Sequence, residues 1–244
     1  MSAWYVSGKN KGADTVRKTL TGIIFDFNGV LLWDNHLHEF AWTQMSTDLR
    51  GTPFSAEEIE LHVHGRNNRS TLEYLMGRDL TQDELTDLID RKEAIYRQLC
   101  LARPHDFCLS PGAVDLLDVL VDRDVPRTIA TAAGRGNLNL YLEHLELERW
   151  FDPALIVHDD GSRPGKPAPD MYLQAAANLD LHPAQCVVVE DSVSGIQAAK
   201  AAGIGHIIAL GPAETHPHVG CLPGVADVVE TLDQIRWQDL FDSC

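Results

Sequence analysis

Short apolar runs alternate with amphipathic stretches along most of this chain. The β-rich apolar runs are Ile23–Phe27, Arg127–Thr131, Ala154–Val157, Cys186–Val189, His206–Leu210 and Ala226–Val229. Amphipathic stretches cover Ala113–Val121, Asn137–Glu148, Asp170–Leu179 and Ser194–Ala202. Short strands alternating with helices of this length predict βαβ units. The fold class is α/β, with a parallel sheet covered by helices on both faces.

The rhythm breaks between residues 35 and 107, where several helical signals appear and no strand. Ser55-Ala56-Glu57-Glu58 and Thr81-Gln82-Asp83-Glu84 both fit the capping box, in which a hydroxyl and a carboxyl three residues on satisfy free N–H groups. After Thr81, positions Leu85, Leu88, Ile89, Ala94, Ile95 and Leu99 mark the apolar face of a long helix. The expected organisation is a core domain over 1–34 and 108–244, interrupted by an all-helical domain over 35–107. No internal repeat is evident.

Composition narrows the partners. The net charge of −16 argues against nucleic acid or an anionic membrane surface, since both need a basic footprint. A small anionic substrate is compatible if a metal and local cations offset the field. The five cysteines form no CxxC pair, which points to a reducing, cytoplasmic setting rather than a disulfide framework. No apolar stretch approaches the ~18 residues of a membrane span. Residues 1–19 read as a polar lead-in without the long apolar core of a signal peptide. The expected assembly is a monomer or weak homo-oligomer.

Four groups of residues carry candidate chemistry. Asp26-Phe27-Asn28-Gly29 follows the first apolar run. Residues two apart on an extended segment point the same way, so Asp26 and Asn28 share a face. Asn-Gly between apolar runs is also a hairpin signal. Thr131 ends the second run ahead of small residues leading into a helix, where free N–H groups favour an anion. An ordinary strand-end role for that hydroxyl stays open, and Gly134-x-Gly136 is only a partial dinucleotide fingerprint, with Asn139 at its third glycine position. Lys166 lies in the proline-stiffened segment Gly165-Lys166-Pro167-Ala168-Pro169-Asp170, which is no P-loop because Asp160 and Pro167 occupy required positions. Glu190 and Asp191 close the Val187-Val188-Val189 run. Acids at a buried strand end need compensation, and Mg²⁺ supplies it, as an acidic helix start also would. In a parallel sheet all four groups fall on one edge.

The order Asp26-x-x-Gly29, Thr131, Gly165-Lys166-Pro167-x-Pro169-Asp170 and Glu190-Asp191-Ser192-x-x-Gly195-Ile196 resembles the haloacid dehalogenase superfamily. Within it the chain looks most like the β-phosphoglucomutase-like phosphatase group. The resemblance implies a Rossmann-like core with a small helical cap, Mg²⁺ dependence and attack on phosphate by an aspartate. By position, Asp26 is the nucleophile and a metal ligand, and Asn28 offers its backbone carbonyl to the metal. Thr131 and Lys166 hold the phosphoryl oxygens, with Ala132 beside them on the substrate. Asp191 and Glu190 complete the metal site. His38 and Trp42 fall at the cap junction, where His38 reads equally as a hinge or a surface residue and Trp42 also reads as cap core. Arg66 and Arg69 in the cap, and Arg135 in the core, are further substrate-binding candidates.

The departures set the expected activity. Asn28 stands where the group has an acid/base aspartate, and Trp33 stands where many members have Asp, with Asp34 next. The expected reaction is slow phosphate-ester hydrolysis or phosphoryl transfer on a small sugar-phosphate-type metabolite, and Asn28→Asp should raise turnover. His38 is the candidate substitute proton donor. A catalytically impaired phospho-ligand binding or regulatory protein is the alternative from another class, and a mutase is a further one. Dehalogenase chemistry needs no Mg²⁺, so Glu190-Asp191 argues against it. Phosphonate cleavage needs a cap lysine, and Lys92, the sole lysine of the insert, reads as too remote. His62-x-His64 and His216-x-His218 have metal-like spacing without partners.

Overall fold

The computed structural model describes residues 19–63 and 67–241. Its centre is a six-stranded parallel sheet of β1 (Gly22–Phe25), β2 (Arg127–Gly134), β3 (Val157–Asp159), β4 (Cys186–Glu190), β5 (His206–Leu210) and β6 (Val225–Val229). The strand order is β3-β2-β1-β4-β5-β6. The central β1 pairs with both β2 and β4, Phe25 lying opposite Ile129 and Val189. In an open sheet of this order the crevice at the β1–β4 reversal, beyond the carboxyl ends, is the expected ligand position.

The two-residue period of a strand divides the core. Ile23, Phe25, Val187 and Val189 pack on one face with Leu116 and Leu117 of the helix Ala113–Asp122 and with Tyr141. Ile24 and Val188 face the other way, against Met171, Tyr172 and Ile196. Both faces are therefore covered, which accounts for strands that read as continuous apolar runs.

Helices Asn35–Arg50, Ala56–His62, Asn68–Met76 and Gln82–Ala102 occupy the segment between β1 and β2, and no strand interrupts them among the described residues. They share a cluster of their own, built on Trp42, Met45, Phe54, Leu72, Leu75, Leu80 and Leu85. Both capping boxes form, at Ser55/Glu58 and Thr81/Glu84. The outgoing and returning chains run side by side: Leu32 bridges Leu109, and Ser110 donates to Leu31 and Val30 carbonyls. No helix among the described residues is long and apolar enough to cross a membrane.

Several expected boundaries change. Ala154–Val157 is not a strand: Pro153–Leu155 is a 3-10 turn capped by Asp152, and β3 starts at Val157. Pro153 lacks an N–H for a ladder and its fixed φ suits the turn. The first strand stops at Phe25, because the Phe27 carbonyl is taken by Val30 and Leu32 in the following turn. The second runs past Thr131 to Gly134, which pairs with Asp159. The helix expected over Asn137–Glu148 spans Arg135–His144, and Glu146 with φ 53° separates it from a short 3-10 turn.

Candidate active site

Asp26 follows β1 directly, and its backbone N–H donates to the Val189 carbonyl at 3.0 Å. That bond holds it level with the end of β4, where Glu190 and Asp191 emerge. Lys166 reaches the same point from the loop after β3. Its Nζ lies 3.0 Å from Asp26 Oδ1 and 2.6 Å from Glu190 Oε1. Asp26, Glu190 and Asp191 each offer an oxygen within 4.8 Å of the others. Two of the three carboxylates thus pair with one ammonium, and Asp191 adjoins them.

Two glycines allow this approach. A Cβ on Gly29, whose φ is +84°, would lie 1.9 Å from Asp191 Oδ2. A Cβ on Gly195 would lie 1.6 Å from Glu190 Oε1. The glycines of both sequence groups are steric requirements of the carboxylate cluster. The Asn28-Gly29 turn is no hairpin, since β1 pairs only in parallel and the chain continues into the helix at Asn35.

Burial raises Asp26 above its ordinary carboxyl range and the Glu190 charge adds to this, against a downward pull from Lys166. Asp191 is raised by burial and by its Glu190 and Asp26 neighbours. Glu190 goes the other way: burial pushes it up, but Lys166, Ser192 and Tyr172 outweigh that and hold it low. Its Oε1 accepts from Lys166 and the Tyr172 hydroxyl, and its Oε2 from Ser192 N and Oγ. A carboxylate has about four lone-pair sites, so those of Glu190 are filled from within the protein.

A second network adjoins the first. Asn28 Nδ2 donates to Asp34 Oδ2 at 2.7 Å and to the Tyr141 hydroxyl at 3.0 Å. Thr131 Oγ1 donates to Asn28 Oδ1 at 3.3 Å and accepts from Ala133 N at 3.0 Å. His38 Nε2 lies 3.3 Å from Asp34 Oδ2, and the His38 ring stacks on Tyr96. Lys92 Nζ is 2.7 Å from His38 Nδ1 and 3.0 Å from Glu93 Oε1. An ammonium has only donors, so His38 accepts at Nδ1 and carries its hydrogen on Nε2, facing Asp34. Burial raises Asp34, but bonds from His38, Tyr96 and Asn28 outweigh it and leave the carboxyl below its usual range.

The structure therefore brings Asp26, Lys166, Glu190 and Asp191 together, with Asn28, Thr131 and His38 alongside. Lys92, expected to be remote, is buried against His38, because residues 38 and 92 lie on packed helices. Both His38 nitrogens are engaged in this arrangement. Trp42 is buried in the helical cluster, with Lys92 Nζ 5.4 Å from its ring centroid. Arg69 contacts Glu73, Leu80 and Gln82 instead of the carboxylates. Ala132 and Arg135 are exposed at the end of the second strand and the start of the next helix. Arg66 lies outside the described residues, as does His64. His216 is tied to the Gly211 carbonyl. A cavity of about 800 Å³ opens beside Gly29 and Asp191, bounded by Trp33, His36, Pro212 and His218.

The family model for haloacid dehalogenase-like hydrolases matches residues 20–203. The chain belongs to the haloacid dehalogenase-like hydrolase family. It is 31% identical to the beta-phosphoglucomutase of Bacillus subtilis, over 82% of this chain and 87% of that protein. It is 29% identical to the phosphorylated carbohydrates phosphatase of Thermotoga maritima, over 77% of this chain and 84% of the relative. A solved structure, a family IA, variant 3 hydrolase of this type from Entamoeba histolytica, superposes with a TM-score of 0.86 at 33% identity, covering 91% of this chain and 98% of that one. Family membership accounts for the Rossmann-like sheet and for the position of the carboxylates at its edge. Nothing in the sequence pointed to Tyr96, Tyr141 and Tyr172, and Asp34 was visible only as the acid after Trp33, without a role. Asp34 alone had a signal, as an acid next to a position where the family often has one.

Proposed function

We propose that this hydrolase is a Mg²⁺-dependent phosphatase acting on a small phosphorylated metabolite of the sugar-phosphate type. The carrying observation is the excess of three carboxylates over one ammonium at the sheet edge, with Asp26 and Asp191 both raised. Such a cluster calls for a hard cation, and oxygen ligands suit Mg²⁺. Asp26, Asp191 and the Asn28 backbone carbonyl would hold it, because Glu190 already has its lone pairs filled. The bound cation would offset charge on the transferring phosphoryl group.

Asp26 attacks phosphorus, the bond to the leaving oxygen breaks, and an aspartyl-phosphate forms. Water then cleaves that acyl phosphate, returning the carboxylate and inorganic phosphate. Lys166, fixed between Asp26 and Glu190, holds a phosphoryl oxygen and neutralises charge. Thr131 is buried with its one hydroxyl hydrogen turned to Asn28 Oδ1, so it would reach the phosphoryl group only by releasing that bond. Asn28 cannot supply the leaving oxygen's proton, which comes from water. The absence of a positioned acid/base costs ~10²–10⁴-fold, so turnover is slow. Residues 35–107 act as a cap that excludes water and selects the substrate, with the cavity beside Trp33 and His36 leaving room for the leaving group. The names of the phosphatase and mutase relatives support a phosphorylated carbohydrate as substrate. Cys100, Cys108, Cys186 and Cys221 are free thiols, which accords with a cytoplasmic setting.

Phosphate release from a sugar-phosphate panel, with and without Mg²⁺, tests this reading. Release that needs both Mg²⁺ and Asp26 supports it. Tight Mg²⁺-dependent ligand binding without turnover would favour a regulatory protein instead.

A further inference from the structure

Asn28 commits its whole carboxamide inside the protein. Nδ2 faces Asp34 Oδ2 and the Tyr141 hydroxyl, and Oδ1 faces Thr131 Oγ1. The orientation follows from Asp34, since a carboxylate can only accept. Asp34 is wholly inaccessible. Its Oδ2 gathers Asn28, the Tyr96 hydroxyl and His38, while its Oδ1 has no hydrogen-bond partner. Burying a carboxylate this way is costly, and the donors converging on one oxygen are what offset it.

We propose that Asp34 is a positioning residue that fixes the Asn28 carboxamide and makes an amide, not an acid, the group this site requires at position 28. Read along the chain, Asn28 is an aspartate that has lost its acid. In the fold, the carboxylate of the pair stands at Asp34 instead. An aspartate at 28 would set a second carboxyl 2.7 Å from Asp34 Oδ2, where the two cannot both ionise, and even protonated it has one hydrogen where the amide donates two, to Asp34 and to Tyr141. Asn28→Asp alone therefore disrupts the site, contrary to the gain expected from the sequence. The exchange Asn28→Asp with Asp34→Asn restores a donor facing an acceptor between positions 28 and 34, and the Tyr96 hydroxyl can turn to Tyr141, 3.1 Å away, while His38 gives up its contact with position 34.

The kinetic half of this inference rests on the phosphatase reading; the stability half does not. The experiment is a double-mutant cycle of thermal melts on the full chain without substrate, followed by kcat and KM for phosphate release from a sugar phosphate. Asn28→Asp should lower Tm by roughly 5 °C and leave kcat at or below that of the wild type. Asp34→Asn should lower kcat roughly tenfold to a hundredfold with KM nearly unchanged, a split that a purely structural role would not produce. The double exchange should recover part of the Tm lost in Asn28→Asp, so that its loss is smaller than the sum of the two single losses. If Asn28→Asp is too unstable to purify, recovery of folded protein by the second exchange supports the same conclusion. A single Asn28→Asp variant that melts at or above wild type, or turns over faster, overturns the proposal. So does a double variant whose Tm loss is the sum of the two single losses. If the wild type releases no phosphate, the phosphatase reading fails while the melts still decide the pairing.

Discussion

Two clusters of buried charge sit side by side in this molecule and are built in opposite ways. At the sheet edge, Asp26 and Glu190 pair with Lys166 and Asp191 adjoins them, and burial with mutual repulsion raises Asp26 and Asp191. At the junction with the helices, Asp34 and Glu93 are held below their usual range despite burial, because His38, Tyr96, Asn28, Lys92 and Asn137 face them. The first cluster has more charge than partners and is suited to receive a cation and a phosphoryl group. The second is held by donors from within the protein, although Asp34 Oδ1 has no partner. Glu190 shows the same rule inside the first cluster: its oxygens are filled, it is held low, and it serves to anchor Lys166. The two clusters thus differ in whether the charges that face each carboxylate are of the same or the opposite sign.

Removing Asp26, the proposed nucleophile, should separate the two clusters most sharply. Asp26→Asn is expected to lower phosphate release by on the order of 10⁴-fold or more. Its Tm should not fall, because one of three repelling carboxylates has gone. A variant that loses activity together with the fold would mean that Asp26 belongs to the second kind.

Cation binding should act on the first cluster alone. At about 100 times its Kd, Mg²⁺ adds about 2.7 kcal/mol, which corresponds to a Tm rise of roughly 5–10 °C for a chain of this size. Asp191→Asn should remove most of that rise, and Asp34→Asn should keep it. Melts at increasing Mg²⁺ measure both.

Acid should loosen the second cluster. Burial pushes Glu93 up, but Lys92, His38 and Asn137 take it below its ordinary value of 4.5. A carboxyl depressed in the fold stabilises above its unfolded pKa, and that contribution disappears as pH falls through the folded value. Glu93→Gln should therefore cost about 1–2 kcal/mol near neutral pH, and its deficit should shrink below about pH 4.5. Denaturant melts at several pH values would show the convergence. A smaller effect comes from Thr81→Ala, which removes a capping box remote from both clusters. It should cost ~1 kcal/mol and leave kcat unchanged.

How much of this was legible in the chain follows from the same contrast. Asp26, Lys166, Glu190 and Asp191 could be read because each is tied to the end of a strand or the loop after it, and a parallel sheet collects those ends on one edge. Gly29 and Gly195 were visible as parts of the motifs that carry the family resemblance, and the structure adds why they are there: only a missing Cβ leaves room for the carboxylates. The second cluster was not legible. Lys92 and His38 are 54 residues apart and meet only because two helices pack. Asp34 was visible as an acid, but the direction of its side chain depends on Tyr96 and Tyr141 arriving from distant segments. The third strand was misplaced because Ala154–Val157 reads as apolar and Pro153 starts a turn inside it.

The central claim is that the sheet-edge cluster is a Mg²⁺-loaded phosphoryl-transfer site with Asp26 as its nucleophile. Its most direct measurement is intact-protein and peptide mass after rapid acid quench, with a turning-over sugar phosphate and Mg²⁺. The account predicts a phosphoryl group on the peptide containing Asp26, lost on omission of Mg²⁺ and absent from Asp26→Asn. Phosphate release that continues in Asp26→Asn, or without any divalent cation, would contradict it.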